Sequence, residues 1–255
     1  MIIVRNITIP QLSGDVKRRA YVYLPNEYKD DPTQRYPVLY MFDGHNVFFD
    51  SHATYGKSWG MLQFLTQQHI PLIVAAVECN HSPDHGRLKE YSPFNFSNDR
   101  FGKIKGRGKE TMDWLVNEFK PWVDATFPTL PGREFTFISG SSMGGLMTLY
   151  ALCDYNHIFS RGAALSPSLW LVQRQVTAMV KKANILPDTV LYMDYGQEEF
   201  KQVGKNPKLF GNIATMLIEK GMLVNARIVP GGSHCEASWE KQIPIFMDTL
   251  FYDEN

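Results

Sequence analysis

Residues 135–152 read Phe135-Thr136-Phe137-Ile138-Ser139-Gly140-Ser141-Ser142-Met143-Gly144-Gly145-Leu146-Met147-Thr148-Leu149-Tyr150-Ala151-Leu152. The first five residues are aromatic, β-branched or small, a composition that suits a buried strand. The last seven are strong helix formers with few breakers, which suits a helix. Gly140-Ser141-Ser142-Met143-Gly144 joins the two. A chain that passes so abruptly from strand to helix has little room for side chains two residues before and after the central serine. Gly140 and Gly144 supply that room, and Gly145 adds a small residue where the helix must pack tightly. A glycine-x-serine-x-glycine pattern arises by chance in roughly one chain of this length in ten. Its position between a strand and a helix is what makes it informative. There Ser142 stands at a helix N-terminus, whose free N–H groups and dipole favour a negative oxygen. Ser142 is therefore a candidate nucleophile.

Further short apolar runs read as buried parallel strands at Pro37–Phe42, Leu72–Val77, Gly162–Leu165, Val190–Asp194 and Val224–Val229. Helical patterns fall between them at Ser58–Gln68, Lys109–Thr126, Ser142–Asp154, Leu169–Ala183, Asn206–Lys220 and Glu236–Phe251. The first two strands, Ile2–Ile9 and Lys17–Leu24, are joined through the turn composition Ser13-Gly14-Asp15 and read as antiparallel. The alternation predicts an α/β architecture: a mostly parallel sheet with antiparallel N-terminal strands and helices on both faces. No repeat, low-complexity tract or linker divides residues 1–255, so one domain is expected. Function in such sheets sits at the carboxyl ends of the strands.

A serine hydroxyl needs a general base, normally histidine. Where a strand–serine–helix turn carries the nucleophile, the acid and then the histidine follow it in the chain. Of seven histidines, only His157 and His234 come after Ser142. His157 lies just beyond the helix that Ser142 opens. His234 lies in Pro230-Gly231-Gly232-Ser233-His234, between the last strand and the last helix, where the base belongs. The acid should follow the penultimate strand, in Asp194-Tyr195-Gly196-Gln197-Glu198-Glu199. Asp194 ends the strand and Gly196 lets the chain turn back. That leaves Glu199 favoured, with Asp194 and Glu198 as alternatives. Its task is to hold the imidazole by Nδ1–H and stabilise the imidazolium. Two backbone N–H groups should receive the oxyanion. One is that of Met143. The other comes from Asp43-Gly44-His45-Asn46, with His45 first and Asn46 second.

The bulk numbers exclude several other classes. The 255 residues are enough for a large α/β core, and 44% are hydrophobic. Lys plus Arg and Asp plus Glu both number 26, so no net field favours nucleic acid or a membrane surface. No apolar run approaches the roughly 18 residues that would span a bilayer. The start, MIIVRNITIP, lacks the pattern of a secretory leader. The three cysteines, Cys79, Cys153 and Cys235, are odd in number and show no metal-ligand spacing. These features predict a cytoplasmic protein with free thiols, no metal, no cofactor and a small-molecule ester as its partner. No phosphate loop, dinucleotide fingerprint or zinc motif stands in the chain.

With these residues in view, the chain resembles the esterase family of α/β-hydrolases that includes enterochelin, feruloyl and acetylxylan esterases and S-formylglutathione hydrolase. The resemblance rests on Tyr40–Phe48, Glu90-Tyr91-Ser92-Pro93, Gly140–Gly145, Leu165–Trp170, Asp194–Glu199 and His234–Trp239. It is strongest to the enterochelin-esterase-like branch. It implies metal-independent ester hydrolysis through an acyl-serine, and it places the acid three residues after the glycine, at Glu199. Small or aromatic acyl esters are the expected substrates. The alternatives are a siderophore trilactone, or transfer of the acyl group to an acceptor other than water on the same fold. A hydrolase-like binding protein is the non-enzymatic alternative, against which the complete Ser, Glu and His set argues.

The long, weakly periodic stretch Asn80–Lys109 is expected to border the cleft. Its second part carries Arg100, Lys103, Lys105, Arg107 and Lys109 with no acid among them, either a solvated loop or a receptor for an anionic substrate. Asn46, Arg87, Tyr91 and Trp170 are candidate substrate contacts. Trp59 and Trp239 are expected to pack.

Overall fold

The computed structural model describes residues 1–29, 31, 33–201 and 206–251. Among these described residues ten strands are present: β1 (Ile2–Ile9), β2 (Gly14–Tyr23), β3 (Val38–Met41), β4 (Ile73–Val77), β5 (Phe96–Asn98), β6 (Gly102–Ile104), β7 (Thr136–Ser141), β8 (Arg161–Leu165), β9 (Val190–Gly196) and β10 (Leu223–Val229). Eight of them form one sheet in the order β1-β2-β4-β3-β7-β8-β9-β10, and β5 pairs with β6 alone. β1 and β2 run antiparallel, β2 is antiparallel to β4, and the remaining neighbours are parallel. This is the α/β architecture expected, with the same antiparallel start.

Side chains of a strand alternate between faces, and here the alternation sorts the core. Val38, Tyr40, Ile73, Ala75, Ile138, Ala164, Leu191 and Met193 face one layer. Leu39, Met41, Val74, Ala76, Phe137, Ala163, Leu165 and Tyr192 face the other. The helix Met143–Asp154 is buried along every residue except the last, which explains its apolar composition on all sides. Among the described residues, no helix is long and apolar enough to cross a membrane.

Several helices differ from their expected bounds for identifiable reasons. The run Lys109–Thr126 is helical from Gly108, but residues Leu115–Phe119 widen into a π turn before Lys120–Thr126. Pro121 lacks the N–H that a regular turn would need there. The run Glu236–Phe251 is two helices, Glu236–Glu240 and Ile243–Leu250, the second opening with Pro244 in its first turn. Ser58–Gln68 shortens to Met61–Gln68, preceded by Gly60 at a φ of 69°. Leu169–Ala183 opens as a 3-10 turn and becomes α-helical only over Gln173–Lys182. Asn80–Lys109 is not one loop: it holds the helix Gly86–Glu90 and the β5–β6 hairpin.

The strand order reverses between β3 and β7, where β4 lies outward of β3 and β8 outward of β7. A crevice opens at the carboxyl ends of strands at such a switch, and the segments following β3, β4 and β7 meet there. The helix Gly86–Glu90 forms one wall. It is fastened to β2 by the buried pair Arg18–Glu90 at 2.7 Å, with Glu90 also accepting from the Asn80 N–H at 3.1 Å. Both partners of that pair are under 5% exposed. Arg18→Met should therefore leave an uncompensated buried carboxylate and lower unfolding free energy by about 3 kcal/mol at neutral pH. Urea denaturation checks this, and a loss under about 1 kcal/mol would show that the pair does not hold the wall.

Candidate active site

Ser142 ends the turn after β7 with φ 60° and ψ −118°, a conformation that a non-glycine residue seldom holds. Three backbone bonds enforce it. Its N–H donates to Leu165 O at 2.9 Å, and its carbonyl accepts from Leu146 N at 3.1 Å and Ser168 N at 3.0 Å. The two flanking glycines are needed for contact: a Cβ on Gly140 would lie 2.8 Å from the Gly144 backbone, and one on Gly144 would lie 3.1 Å from Phe42 Cβ.

His234 Nε2 lies 2.9 Å from Ser142 Oγ, and His234 Nδ1 lies 2.7 Å from Glu199 Oε2. With Glu199 ionised, Nδ1 carries the proton and donates, which leaves the Nε2 lone pair facing the serine hydroxyl. Ser168 Oγ stands 3.3 Å from the same hydroxyl. The Trp239 ring meets the imidazole edge to face, with centroids 5.1 Å apart.

Glu199 is fully buried in the 3-10 turn Gln197–Lys201 that follows β9. Its Oε1 accepts from Ser166 Oγ at 2.5 Å and Gly196 N at 3.0 Å. Ser166 Oγ in turn accepts from Trp239 Nε1 at 2.9 Å. The carboxylate reaches the histidine because two loops touch backbone to backbone. A Cβ on Gly196 would overlap the Gly232 carbonyl, and Glu198 N donates to Gly232 O at 3.0 Å. The other two acid candidates are engaged elsewhere. Glu198 is half-buried and paired with Lys201. Asp194 is buried, accepts from Ser166 N at 3.1 Å and lies 2.8 Å from Tyr192 OH.

Met143 opens its helix, so its N–H has no acceptor within it. Across the crevice, Asp43 adopts the left-handed region at φ 56° and Gly44–Asn46 form a single 3-10 turn. Arg87 grips Asp43 with Nε and Nη2, both at 2.7 Å. Burial works to raise the Asp43 carboxyl, but the Arg87 guanidinium outweighs it and holds it below the usual range. Tyr91 OH accepts from the Asp43 N–H at 3.1 Å.

A cleft of about 610 Å³ contains Ser142, His234, His45, Asn46 and Arg87 in its lining. Tyr91 and Trp170, expected as substrate contacts, stand outside it. Tyr91 is buried and braces Asp43, and Trp170 sits on the 3-10 turn after β8. The basic residues Arg100, Lys103, Lys105, Arg107 and Lys109 are likewise not part of the cleft's lining, although Lys105 and Arg107 line an adjoining pocket that shares Asn80, Ser82 and Gly86 with it. Arg107 and Lys109 pair with Glu110 and Asp113. Trp239, expected only to pack, also lines the cleft and donates to Ser166. Glu236 and Tyr55, neither of them a candidate contact from the sequence, line it as well. Glu236 accepts from Asn46 Nδ2 at 3.3 Å, and burial raises its carboxyl.

A family model described as "Putative esterase" matches residues 13–244. The chain belongs to this esterase family. An uncharacterized protein of Bacillus subtilis (strain 168), YbbA, is 26% identical over 189 residues, which are 72% of this chain and 70% of that protein. An IroE-like serine hydrolase from Shewanella oneidensis shares the fold with a TM-score of 0.73 at 21% identity, over 98% of this esterase-family chain and 79% of the other. The siderophore hydrolase EstA from Aspergillus nidulans does so with a TM-score of 0.70 at 16% identity, over 98% and 95%. At these identities the structural likeness speaks for the fold, here the α/β-hydrolase type.

Buried Asp194 makes stability depend on pH. Burial pushes its carboxyl up to about 7, against about 3.9 when unfolded. The folded state then binds more protons between these values, so this group's contribution makes stability fall as pH rises from about 4 to 7. Asp194→Asn should flatten that slope and gain stability at pH 8 relative to pH 4. Chemical denaturation across that range tests it; an unchanged slope would rule out Asp194 as the source.

Proposed function

We propose that the protein is a serine carboxylic-ester hydrolase that works through an acyl-serine intermediate on small or aromatic acyl esters. The observation that carries this reading is the continuous chain Glu199–His234–Ser142, with links of 2.7 and 2.9 Å, opening into a cleft. Family membership agrees with it.

In this mechanism the Ser142 hydroxyl attacks the ester carbonyl while His234 Nε2 takes its proton. Glu199 keeps the ring oriented and stabilises the imidazolium without itself being protonated. The N–H groups of Met143 and His45 receive the oxyanion, helped by the positive end of the helix that Met143 opens. His234 then protonates the leaving alcohol. Water, activated by the same histidine, attacks the acyl-serine and frees the acid.

A second reading is cleavage of a siderophore trilactone. The open cleft, with Asn80, His81 and His85 in its lining, favours a large, oxygen-rich substrate. An ester panel followed by chromatography separates the two: loss of a trilactone siderophore with higher kcat/KM than short acyl or feruloyl esters selects it.

Ser142→Ala should abolish p-nitrophenyl acetate and butyrate turnover in a folded protein; near-wild-type turnover sinks the assignment. Glu199→Gln should lower kcat by on the order of 10⁴-fold. Glu198→Gln and Asp194→Asn should each change it by less than about tenfold, because neither carboxyl touches the histidine. A dominant Asp194 effect would move the acid.

A further inference from the structure

We propose that His45, Cys79 and His81 form a binding site for a single Zn²⁺ ion on the wall of the cleft. One ligand atom from each of the three residues lies within 4.8 Å of the other two. The Cys79 Sγ to His81 Nδ1 distance is 4.0 Å, and the two imidazoles meet edge to face with centroids 4.7 Å apart. All three residues line the same cleft as Ser142.

The fold creates this cluster. β3 and β4 are parallel neighbours in the register Met41↔Ala76. Both strands end at the same edge of the sheet, so His45, beyond β3, meets Cys79 and His81, beyond β4. His45 and Cys79 are buried and His81 is exposed. The histidine that must move to close a coordination sphere is therefore the one with room to do so. Tetrahedral zinc sets its ligand atoms about 3.3–3.6 Å apart, as follows from bonds of about 2.3 Å to sulfur and 2.0–2.1 Å to nitrogen. A side-chain rotation at the exposed His81 can bring its 4.0 Å separation from Cys79 Sγ into this range.

A second observation points to a ligand. His45 Nε2 is 3.0 Å from Thr54 Oγ1, whereas its Nδ1 is buried with no hydrogen-bond partner among the described residues. A histidine with one nitrogen held by a hydroxyl and the other bare is arranged as metal-binding histidines are, since the outer partner fixes the tautomer. Burial keeps the Cys79 thiol protonated in the metal-free protein, so zinc binding breaks the S–H bond and releases that proton to solvent as the Zn–S bond forms. A thiolate with two imidazoles suits zinc rather than magnesium or calcium, which prefer oxygen ligands. Asp43 does not complete the set, because Arg87 takes both its oxygens. Three protein ligands leave a fourth position open.

The site itself does not depend on the proposed hydrolysis, but its consequence does. His45 is also the residue whose backbone N–H is proposed to receive the oxyanion. Zinc on its ring ties that loop to β4, and bound Zn²⁺ lowers ester turnover.

Calorimetric titration of the metal-free protein with Zn²⁺, on the wild type and on Ser142→Ala, tests the site apart from catalysis. Both should bind one ion. His81→Ala, at an exposed position, should weaken binding by on the order of a hundredfold. Titration with Co²⁺ should give the intense thiolate-to-metal absorption of a tetrahedral site, lost in Cys79→Ala and kept in Cys235→Ser. Absence of stoichiometric binding, binding unchanged in His81→Ala, or a band lost with Cys235→Ser would each overturn the site. Wild-type p-nitrophenyl acetate turnover should fall over the same Zn²⁺ range. Binding with unaltered turnover overturns the inhibitory role while leaving the site intact.

Discussion

The strained turn at Ser142 is the constraint on which the rest of the site depends. A φ of 60° at a serine costs energy, of the order of 1–3 kcal/mol. It persists because β8 and the segment after it hold Ser142 from both ends, through Leu165 O and Ser168 N. The buried helix Met143–Asp154 then leaves the chain no softer place to turn. The conformation lifts the hydroxyl out of the sheet edge and directs it toward His234. A relaxed residue here would continue the strand and take the hydroxyl away from the imidazole.

The second level of organisation concerns His234, which stands on a loop and needs anchors. Glu199 is one, but that carboxylate is itself immobilised by Ser166 and Gly196. Trp239 closes the circuit, stacking edge-on to His234 and donating to Ser166. The histidine is thereby tied through β8, β9 and the C-terminal helical segment at once. Glu199 and Ser166 are buried, and buried polar groups need hydrogen-bond partners. This is why one carboxylate, rather than any of three nearby, meets the ring.

On the opposite wall, the Asp43–Arg87 pair and Tyr91 fix the turn that presents the His45 N–H. Arg87 lies on the helix that Arg18–Glu90 fastens to the sheet. Charge pairing of these residues thus sets the position of a backbone group. The same wall brings together a thiol and two imidazoles that the chain keeps far apart.

The amino-acid sequence by itself determined the layered α/β plan, because strand alternation and helical runs are local patterns. It also determined Ser142 and His234 as candidates, the first through its glycines and the second through chain order. For the acid, the sequence favours Glu199 but leaves Asp194 and Glu198 open. Only tertiary structure separated them, since the decisive contact, Gly196 against Gly232, joins two loops. Tyr91 and Trp170 showed the same limit. Side-chain direction depends on packing, which turned the first inward to brace Asp43 and left the second outside the cleft. The helix breaks near Pro121 and Pro244 were legible in principle, as a missing N–H is a local fact. The cluster of His45, Cys79 and His81 was not, because parallel pairing of β3 with β4 is what makes those residues neighbours.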